Sequence, residues 1–316
     1  MFKTFEMELA GRPLIIETGK MAKQANGAVL VRYGDTAVLV ATTASKEPRE
    51  GTDFFPLTVD YEEKMYAVGK MPGGFLRREG RPGNSAILCA RLIDRPIRPL
   101  FDKRCRNDIH VVATVLSVDY DNAPELCGMI GASASIGISD IPWDGPIAGV
   151  RVGRVDGKYV INPTQEEMAA STMNVTVAGS EEAIMMVEGG AQEAPEEEVL
   201  DAIMFGHETI KEICRFQKKI IEEVGKEKRV LTFPEVPAEI EKDVEAFATE
   251  SLKKAIFDAD KLRRDGNIAA AKKAAMEHFA EIYPEHLSDV ADALAHLPKD
   301  FVRPPITMRG IRAEGS

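Results

Sequence analysis

The feature that most constrains the fold is a change in the spacing of apolar residues near Pro195. Before it, apolar residues fall in short runs, such as 28–33 and 36–43 on either side of Gly34 and Asp35, which predict two strands joined as a hairpin. After it, they recur every three, four or seven residues, as one face of a helix requires. The pattern therefore predicts an α+β part, which closes with one long amphipathic helix after Pro195, followed by an all-helical part.

The α+β part is predicted to be one domain over residues 1–229. Its strands are interleaved with only a few helices, which argues against a regular βαβ array. One helix is expected to start at Asn84 or Ser85, either of which could cap it, and to run until Pro96. A second lies within 125–138, where small side chains favour close packing against a sheet.

The all-helical part is predicted to be a small domain of three helices over residues 238–300. A Pro-punctuated linker over 231–237 separates it from the first domain. Residues 301–316 are rich in Arg and Pro, so we interpret them as the start of a linker to a second core that is missing from this chain.

Composition limits the partners and the compartment. The formal charge of −11 makes adhesion to nucleic acid over the whole surface unfavourable, so any such contact must be local. The four cysteines form no CxxC pair, which favours reduced thiols over zinc or disulfides. The N-terminus has no apolar signal region and no stretch approaches 18 apolar residues, so we expect a cytoplasmic protein without membrane contact.

One segment is strongly basic against this acidic background. Residues 75–106 contain nine Lys or Arg and three Asp or Glu, a local charge of +6. Electrostatic capture of a polyanion depends on such a local field and not on net charge.

The loop that opens this segment is the first candidate site. Phe75 can stack on a base of single-stranded nucleic acid, and the arginines that follow can pair with phosphates. These arginines are Arg77, Arg78 and Arg81. The alternative is that Phe75 and Leu76 pack into the core and the arginines are merely solvated.

A second group of arginines follows on the predicted helix. Arg91 and Arg95 are four residues apart and share a face, and Arg98 is placed to pair with Asp94. They form either a phosphate-facing row or a set of internal ion pairs near an interface.

No catalytic group of residues emerges from the sequence. Four aspartates lie in predicted turns, and none has a His or Lys at a spacing typical of a catalytic site. They are Asp119, Asp121, Asp140 and Asp144. The Gly128-x-x-Gly131 spacing lacks the Lys-Ser/Thr of a phosphate-binding P-loop.

The segments 75–82 (FLRREGRP) and 90–101 (ARLIDRPIRPLF) closely resemble the bacterial polynucleotide phosphorylase family, and the resemblance extends over the whole chain. It implies an RNase PH-like core over 1–229, which is a ribosomal-protein-like βαβ fold with mixed sheets and helices. The all-helical linker domain follows this core.

The resemblance also implies the activity of the full-length protein. Members are trimeric rings that degrade single-stranded RNA in the 3′-to-5′ direction, with inorganic phosphate as co-substrate, Mg²⁺ as cofactor and nucleoside diphosphates as products. Homotrimer formation and partners in an RNA-degradation complex are implied in the same way. Two cores, the helical domain and further RNA-binding domains make up each subunit, of which this chain would hold the first core and the helices.

Residue roles carry over only where the motif matches. The family's loop lines the aperture of the ring and guides RNA, which implies this role for Phe75, Arg77, Arg78 and Arg81. The family usually has two successive Phe residues here, whereas this chain has Leu76 at the second position. We therefore expect one stacking ring per subunit.

The family's catalytic Asp, Asp and Lys belong to the second core. The corresponding positions of this chain fall on Met168, Asn174 and Thr176, none of which ligates a metal as a carboxylate does or supplies a cation. We therefore expect no catalytic and no metal-binding residue in this chain, and no phosphorolysis by it alone. Two alternatives remain open, a non-catalytic RNA-binding or assembly module and a stand-alone RNase PH-like enzyme with a different site.

Overall fold

The structure is a computed structural model, and it describes residues 2–49, 52, 54–231, 236–310 and 312. Contacts between Cα atoms divide the chain into two compact units, Met1–Thr232 and Phe233–Ser316. The linker predicted over 231–237 falls mostly outside the described residues.

The ten strands of the described residues all lie in the first unit. Strands β1 to β6 are Lys3–Leu9, Arg12–Thr18, Gly27–Tyr33, Thr36–Pro48, Leu57–Glu63 and Asn107–Ser117. Strands β7 to β10 are Ala148–Val155, Lys158–Ile161, Met173–Gly179 and Ile184–Ala191. They form a six-stranded sheet in the order β1-β2-β3-β4-β6-β5 and a four-stranded sheet in the order β10-β9-β7-β8.

Seven α-helices accompany these sheets in the described residues. The first unit contains α1 to α4, which are Asn84–Ile97, Pro124–Ile138, Gln165–Ala170 and Glu196–Val224. The second unit contains α5 to α7, which are Ala238–Ile256, Lys261–Ile282 and Leu287–Arg309. Short 3₁₀ turns span Met65–Val68 and Arg98–Leu100. The α+β class predicted for the first part is confirmed.

Strand pairing in the six-stranded sheet is antiparallel except between β5 and β6. Those two strands run parallel and are connected through α1, which makes a βαβ unit as parallel pairing requires. The predicted hairpin joins β3 to β4, with Tyr33 opposite Thr36 and Gly34 in the left-handed region at a φ of 58°.

The helix α2 is the centre of the first unit. It packs on β3 and β4, and nearly all its residues are buried. A Cβ on Gly131 would lie 2.5 Å from Cγ2 of Val40, so only glycine permits this approach. The prediction that small side chains bring this helix close to a sheet is confirmed. On the second sheet, α4 packs against β7 and β9.

The boundaries of α1 differ from the prediction. Its N-cap is Gly83 and no side chain caps it, so neither Asn84 nor Ser85 has that role. Pro96 does not end the helix but lies in its last turn, one residue before Ile97. A proline so close to the end of the helix removes little hydrogen bonding.

The segment after α4 is fastened to the first unit by its basic side chains. Lys226 Nζ donates to the carbonyl of Asn26 at 2.6 Å. Lys228 Nζ donates to three carbonyls at the end of α2, at 2.7, 2.7 and 3.1 Å, and burial lowers the pKa of this ammonium. Arg229 Nε donates to Oδ2 of Asp140 at 2.5 Å. These contacts hold the chain in place up to residue 229.

The second unit is a three-helix bundle with its own apolar core. Buried side chains from all three helices meet there, among them Val244, Leu252, Phe279 and Leu294. Its last helix runs to Arg309, beyond residue 300 where the helical domain was expected to end. Phe301 and Val302 pack against the core, which explains why the helix continues through this Pro-rich stretch.

Candidate nucleic-acid interface

Phe75 lies in a loop over residues 69–83, between the 3₁₀ turn and α1. Its side chain is fully exposed at 102%, and that of Leu76 is 75% exposed. A side chain that fills the core would be buried, so this exposure contradicts the core-packing alternative. The aromatic ring is accessible on the surface of the first unit.

Hydrogen bonds on both sides of Phe75 and Leu76 shape the middle of this loop. The backbone N–H of Arg77 donates to the carbonyl of Gly74 at 2.9 Å, which closes a turn around Phe75 and Leu76. The backbone N–H of Met65 donates to Oε1 of Glu79 at 2.9 Å. Arg77 has a φ of 48°, in the left-handed region that residues other than glycine seldom adopt.

The arginines of the loop are available for a ligand. Arg77, Arg78 and Arg81 are all exposed. Within the described parts of the chain, no carboxylate pairs with any of their guanidinium groups. Guanidinium groups that lack an internal partner are free to form charge-assisted hydrogen bonds with phosphates.

The arginines in α1 and directly after it have different surroundings. Arg98 donates to both carboxylate oxygens of Asp94, at 2.9 and 2.7 Å, and to the carbonyl of Leu57 at 3.0 Å, so it fastens α1 to the start of β5. Arg95 pairs with Glu188 of β10 at 2.8 Å.

Arg91 is exposed and has no such pair in the described residues. It lines a cleft of about 330 Å³ between β5 and α1. Of the three, Arg91 alone therefore keeps its guanidinium free among the described residues, and the three do not form a continuous row.

The resemblance aligns three positions of this chain with the family's catalytic residues. Met168 lies on α3, and Asn174 and Thr176 lie on β9. Thr176 is buried directly across the sheet from Arg151, whose guanidinium pairs with Glu125 at 2.5 Å. A thioether, an amide and a hydroxyl beside a guanidinium do not suit Mg²⁺, which prefers carboxylate and water oxygens.

The thiols do not supply a nucleophile either. Burial raises the pKa of Cys89, Cys127 and Cys214 to about 12. A reactive cysteine is a thiolate near neutral pH, and burial disfavours that form at these three positions. No group of three or more His, Cys, Asp or Glu that could hold a metal occurs among the described residues. None of the helices described is long and apolar enough to cross a membrane.

Family models match both units of the fold. Residues 10–142 match domain 1 of the 3′ exoribonuclease family, and residues 145–209 match domain 2. The first unit thus has the two halves of an RNase PH-like core. Residues 239–315 match a model described as the RNA-binding domain of polyribonucleotide nucleotidyltransferase.

Close relatives name the family. The chain is 54% identical over 313 residues to a polyribonucleotide nucleotidyltransferase of Heliobacterium modesticaldum, and 55% identical over 313 residues to that of Syntrophomonas wolfei. Each alignment covers 99% of this chain but 44% of the relative. The chain belongs to the polyribonucleotide nucleotidyltransferase family and spans less than half the length of these relatives.

A solved structure supports the fold of the core. The rice (Oryza sativa) Rrp46 structure aligns with a TM-score of 0.52 at 15% identity, over 70% of this chain and 94% of that one. At this identity the likeness bears on the fold alone. The RNase PH-like fold predicted for the first unit is confirmed.

Proposed function

We propose that this chain is the RNA-guiding and ring-scaffolding part of a phosphate-dependent 3′-to-5′ exoribonuclease. Its substrate is single-stranded RNA, its co-substrate is inorganic phosphate, and its products are nucleoside diphosphates. The names of relatives at 54% and 55% identity support this activity for the full-length protein. On this proposal the phosphorolytic chemistry belongs to a second core outside these 316 residues.

The proposal depends on one observation, the exposure of an aromatic ring and of arginine side chains in the loop over 69–83. A fully exposed Phe75 lies beside three exposed arginines without internal partners in the described chain. Stacking on an aromatic ring contributes about 1–3 kcal/mol per base and tolerates any sequence. Arginines add phosphate contacts that are equally independent of sequence, which suits an enzyme that must move along RNA.

The metal and the assembly belong to the same proposal. In the full-length enzyme, residues of the second core would bind Mg²⁺, and the metal would neutralise charge on the reacting phosphates. Three subunits form the ring, a proposal supported by the exposed Ile87 and Leu88 on α1 next to the loop. Free cysteines at all four positions support the reducing cytoplasm as the compartment.

Charge reversal in the loop tests the RNA contact. The double variant Arg77→Glu and Arg78→Glu is expected to bind oligoadenylate more weakly. The log–log slope of affinity against salt should fall by about 0.7 for each phosphate interaction that the substitutions remove. Lys158→Glu with Lys219→Glu makes the same charge change at exposed sites on β8 and α4 and serves as the matched control. Equal slopes for the two variants would show that the loop does not touch RNA.

An activity assay tests where the chemistry resides. This chain, incubated with polyadenylate, phosphate and Mg²⁺, is expected to release no nucleoside diphosphate, while the full-length Heliobacterium relative serves as the positive control. Sustained release of ADP by this chain would contradict the proposal and favour a stand-alone enzyme with a different site.

A further inference from the structure

The turn between α5 and α6 repeats the chemistry of the Phe75 loop. Residues 262–266 read Leu-Arg-Arg-Asp-Gly, and residues 76–80 read Leu-Arg-Arg-Glu-Gly. The two segments lie in different units and in different backbone settings, since the first is the start of a helix and the second a loop. Both segments place an exposed leucine directly before two arginines.

Apolar side chains are exposed at this turn. Phe257, the residue directly after α5, is 44% exposed, and Leu262 in the first turn of α6 is 84% exposed. The cations around them are exposed as well, namely Lys253, Lys254, Lys261 and Arg263. An accessible ring interleaved with cations is the composition of a platform for single-stranded nucleic acid.

Helix stability does not account for the cations of α6. Lys261, Arg263 and Arg264 fall among its first four residues, and its first turn contains no acidic residue. The macrodipole makes cations unfavourable at a helix N-terminus. Lys253 and Lys254 at the end of α5 are favourable by the same rule. The N-cap Asp260, which accepts from the backbone N–H of Arg263 at 2.8 Å, offsets the α6 cations in part but is one carboxylate against three cations.

Internal pairing satisfies these cations only in part. Arg263 pairs with Asp258 at 3.3 Å and with Asp260 at 3.9 Å, and Arg264 donates to the carbonyl of Asp258 at 3.1 Å. Lys254 and Lys261 have no ion pair within the described residues.

Charge is also segregated along the bundle. The turn joins α5 and α6 at their basic ends, whereas α5 begins with Glu239 and Glu241. The hydrogen bond from Tyr283 to Asp243, at 2.7 Å, shows that the end of α6 lies beside the start of α5. Residues 253–265 contain five Lys or Arg and three Asp, so a polyanion would meet a net positive charge at this end of the bundle.

We propose that the α5–α6 turn is a second binding site for single-stranded RNA, in which Phe257 stacks on a base and Lys254, Lys261 and Arg263 contact phosphates. The inference rests on the proposed function in that RNA is the substrate. The RNA-binding description of the family model for 239–315 favours RNA over an acidic protein, and the exposed ring favours it for a physical reason.

The test compares three variants of the 316-residue chain, with fluorescein-labelled oligoadenylate longer than about 16 nucleotides as the probe. The turn variant carries Lys254→Gln, Lys261→Gln and Arg263→Gln. The control variant carries Lys242→Gln, Lys272→Gln and Lys273→Gln, an equal charge change elsewhere on the same helices. The third is the loop variant Arg77→Gln and Arg78→Gln. Circular dichroism verifies that helix content and Tm are retained.

The turn variant is expected to lower the salt slope by about 2, from about 0.7 for each of three phosphate interactions, and the control variant to leave it unchanged. A weaker slope in the loop variant with no change in the turn variant overturns this inference and leaves the proposed function intact. A weaker slope in the turn variant alone supports the inference and contradicts the loop as the RNA contact. No change in either contradicts both.

Phe257→Leu separates RNA from other polyanions, because it keeps an apolar side chain and removes the ring. Oligoadenylate affinity should fall by roughly 5-fold or more, while binding of polyglutamate stays unchanged. If the ring is without effect and the turn variant weakens both polyanions equally, the turn is a general anion-binding surface and the inference is wrong.

Discussion

The Phe75 loop and the α5–α6 turn show how backbone setting changes the use of similar residues. In the loop, Glu79 bonds to the backbone of Met65 and leaves Arg77 and Arg78 without partners in the described chain. In the turn, Asp258 binds both Arg263 and Arg264, and α6 places their charge at its unfavourable end. The loop is thus the more available cationic surface, and we expect the turn to contribute less to RNA affinity.

The largest effect should come from removing the second unit's core. Phe279 is buried among all three helices, and Phe279→Ala should destabilise the bundle by about 3–5 kcal/mol. The helical signal in circular dichroism should fall while the first unit keeps its own melting transition. Phe75→Ala should still weaken RNA binding in this background. If it no longer does so, the two regions do not bind independently.

The next effect concerns the loop's ring. Phe75→Ala should reduce the binding free energy for oligoadenylate by about 1–3 kcal/mol, because the stacking of one base is removed. The melting temperature should not change, since the ring makes no core contact at 102% exposure. Anisotropy titration and calorimetry measure the two quantities. A drop in Tm of several degrees would assign the ring a structural role instead.

A second aromatic ring beside Phe75 should strengthen the binding of RNA. Leu76 is 75% exposed, so Leu76→Phe fits without repacking and should strengthen oligoadenylate binding by about 1 kcal/mol, the lower end of the stacking range. Leu76→Met is the control for side-chain size. Equal affinities for the Phe and Met variants would indicate that position 76 does not reach a base.

The smallest effect is expected at Lys261, where one substitution should raise stability and lower the affinity for RNA. Lys261→Gln removes a cation from the first turn of α6 and should raise the unfolding free energy by about 0.3–1 kcal/mol at low salt. Affinity for oligoadenylate should fall in the same variant. Chemical denaturation and anisotropy provide the two measurements. A variant that loses stability would remove the dipole argument for the turn.

Much of the fold was predictable because it depends on local patterns. The hairpin at Gly34 and Asp35 and the small-residue helix α2 follow from turn chemistry and side-chain size. The helix α3 was not predicted, although Thr164 and Glu167 form a capping box that the sequence displays. The continuation of α7 past residue 300 was not predicted either. It depends on the burial of Phe301 and Val302 against distant helices, and local propensity does not reveal such contacts.

The candidate site was predictable in its residue types and not in its surroundings. The sequence places Phe75 beside arginines but leaves open whether the ring is buried, since exposure is a property of the folded chain. Arg95 pairs with Glu188, which is 93 residues away, and no spacing rule predicts such a contact. The α5–α6 turn is not among the sites predicted from the sequence, although the sequence displays the similarity of residues 262–266 to 76–80.

The fastened segment after α4 determines where a protease can act. Trypsin cleaves after Lys or Arg by drawing the charged group into an acidic pocket. The charged groups of Lys226, Lys228 and Arg229 are hydrogen-bonded to carbonyls and a carboxylate of the first unit. The guanidinium groups of Arg77 and Arg78 have no such partner among the described residues. Early digestion should therefore nick the loop inside the first unit before it cuts at residues 226–229.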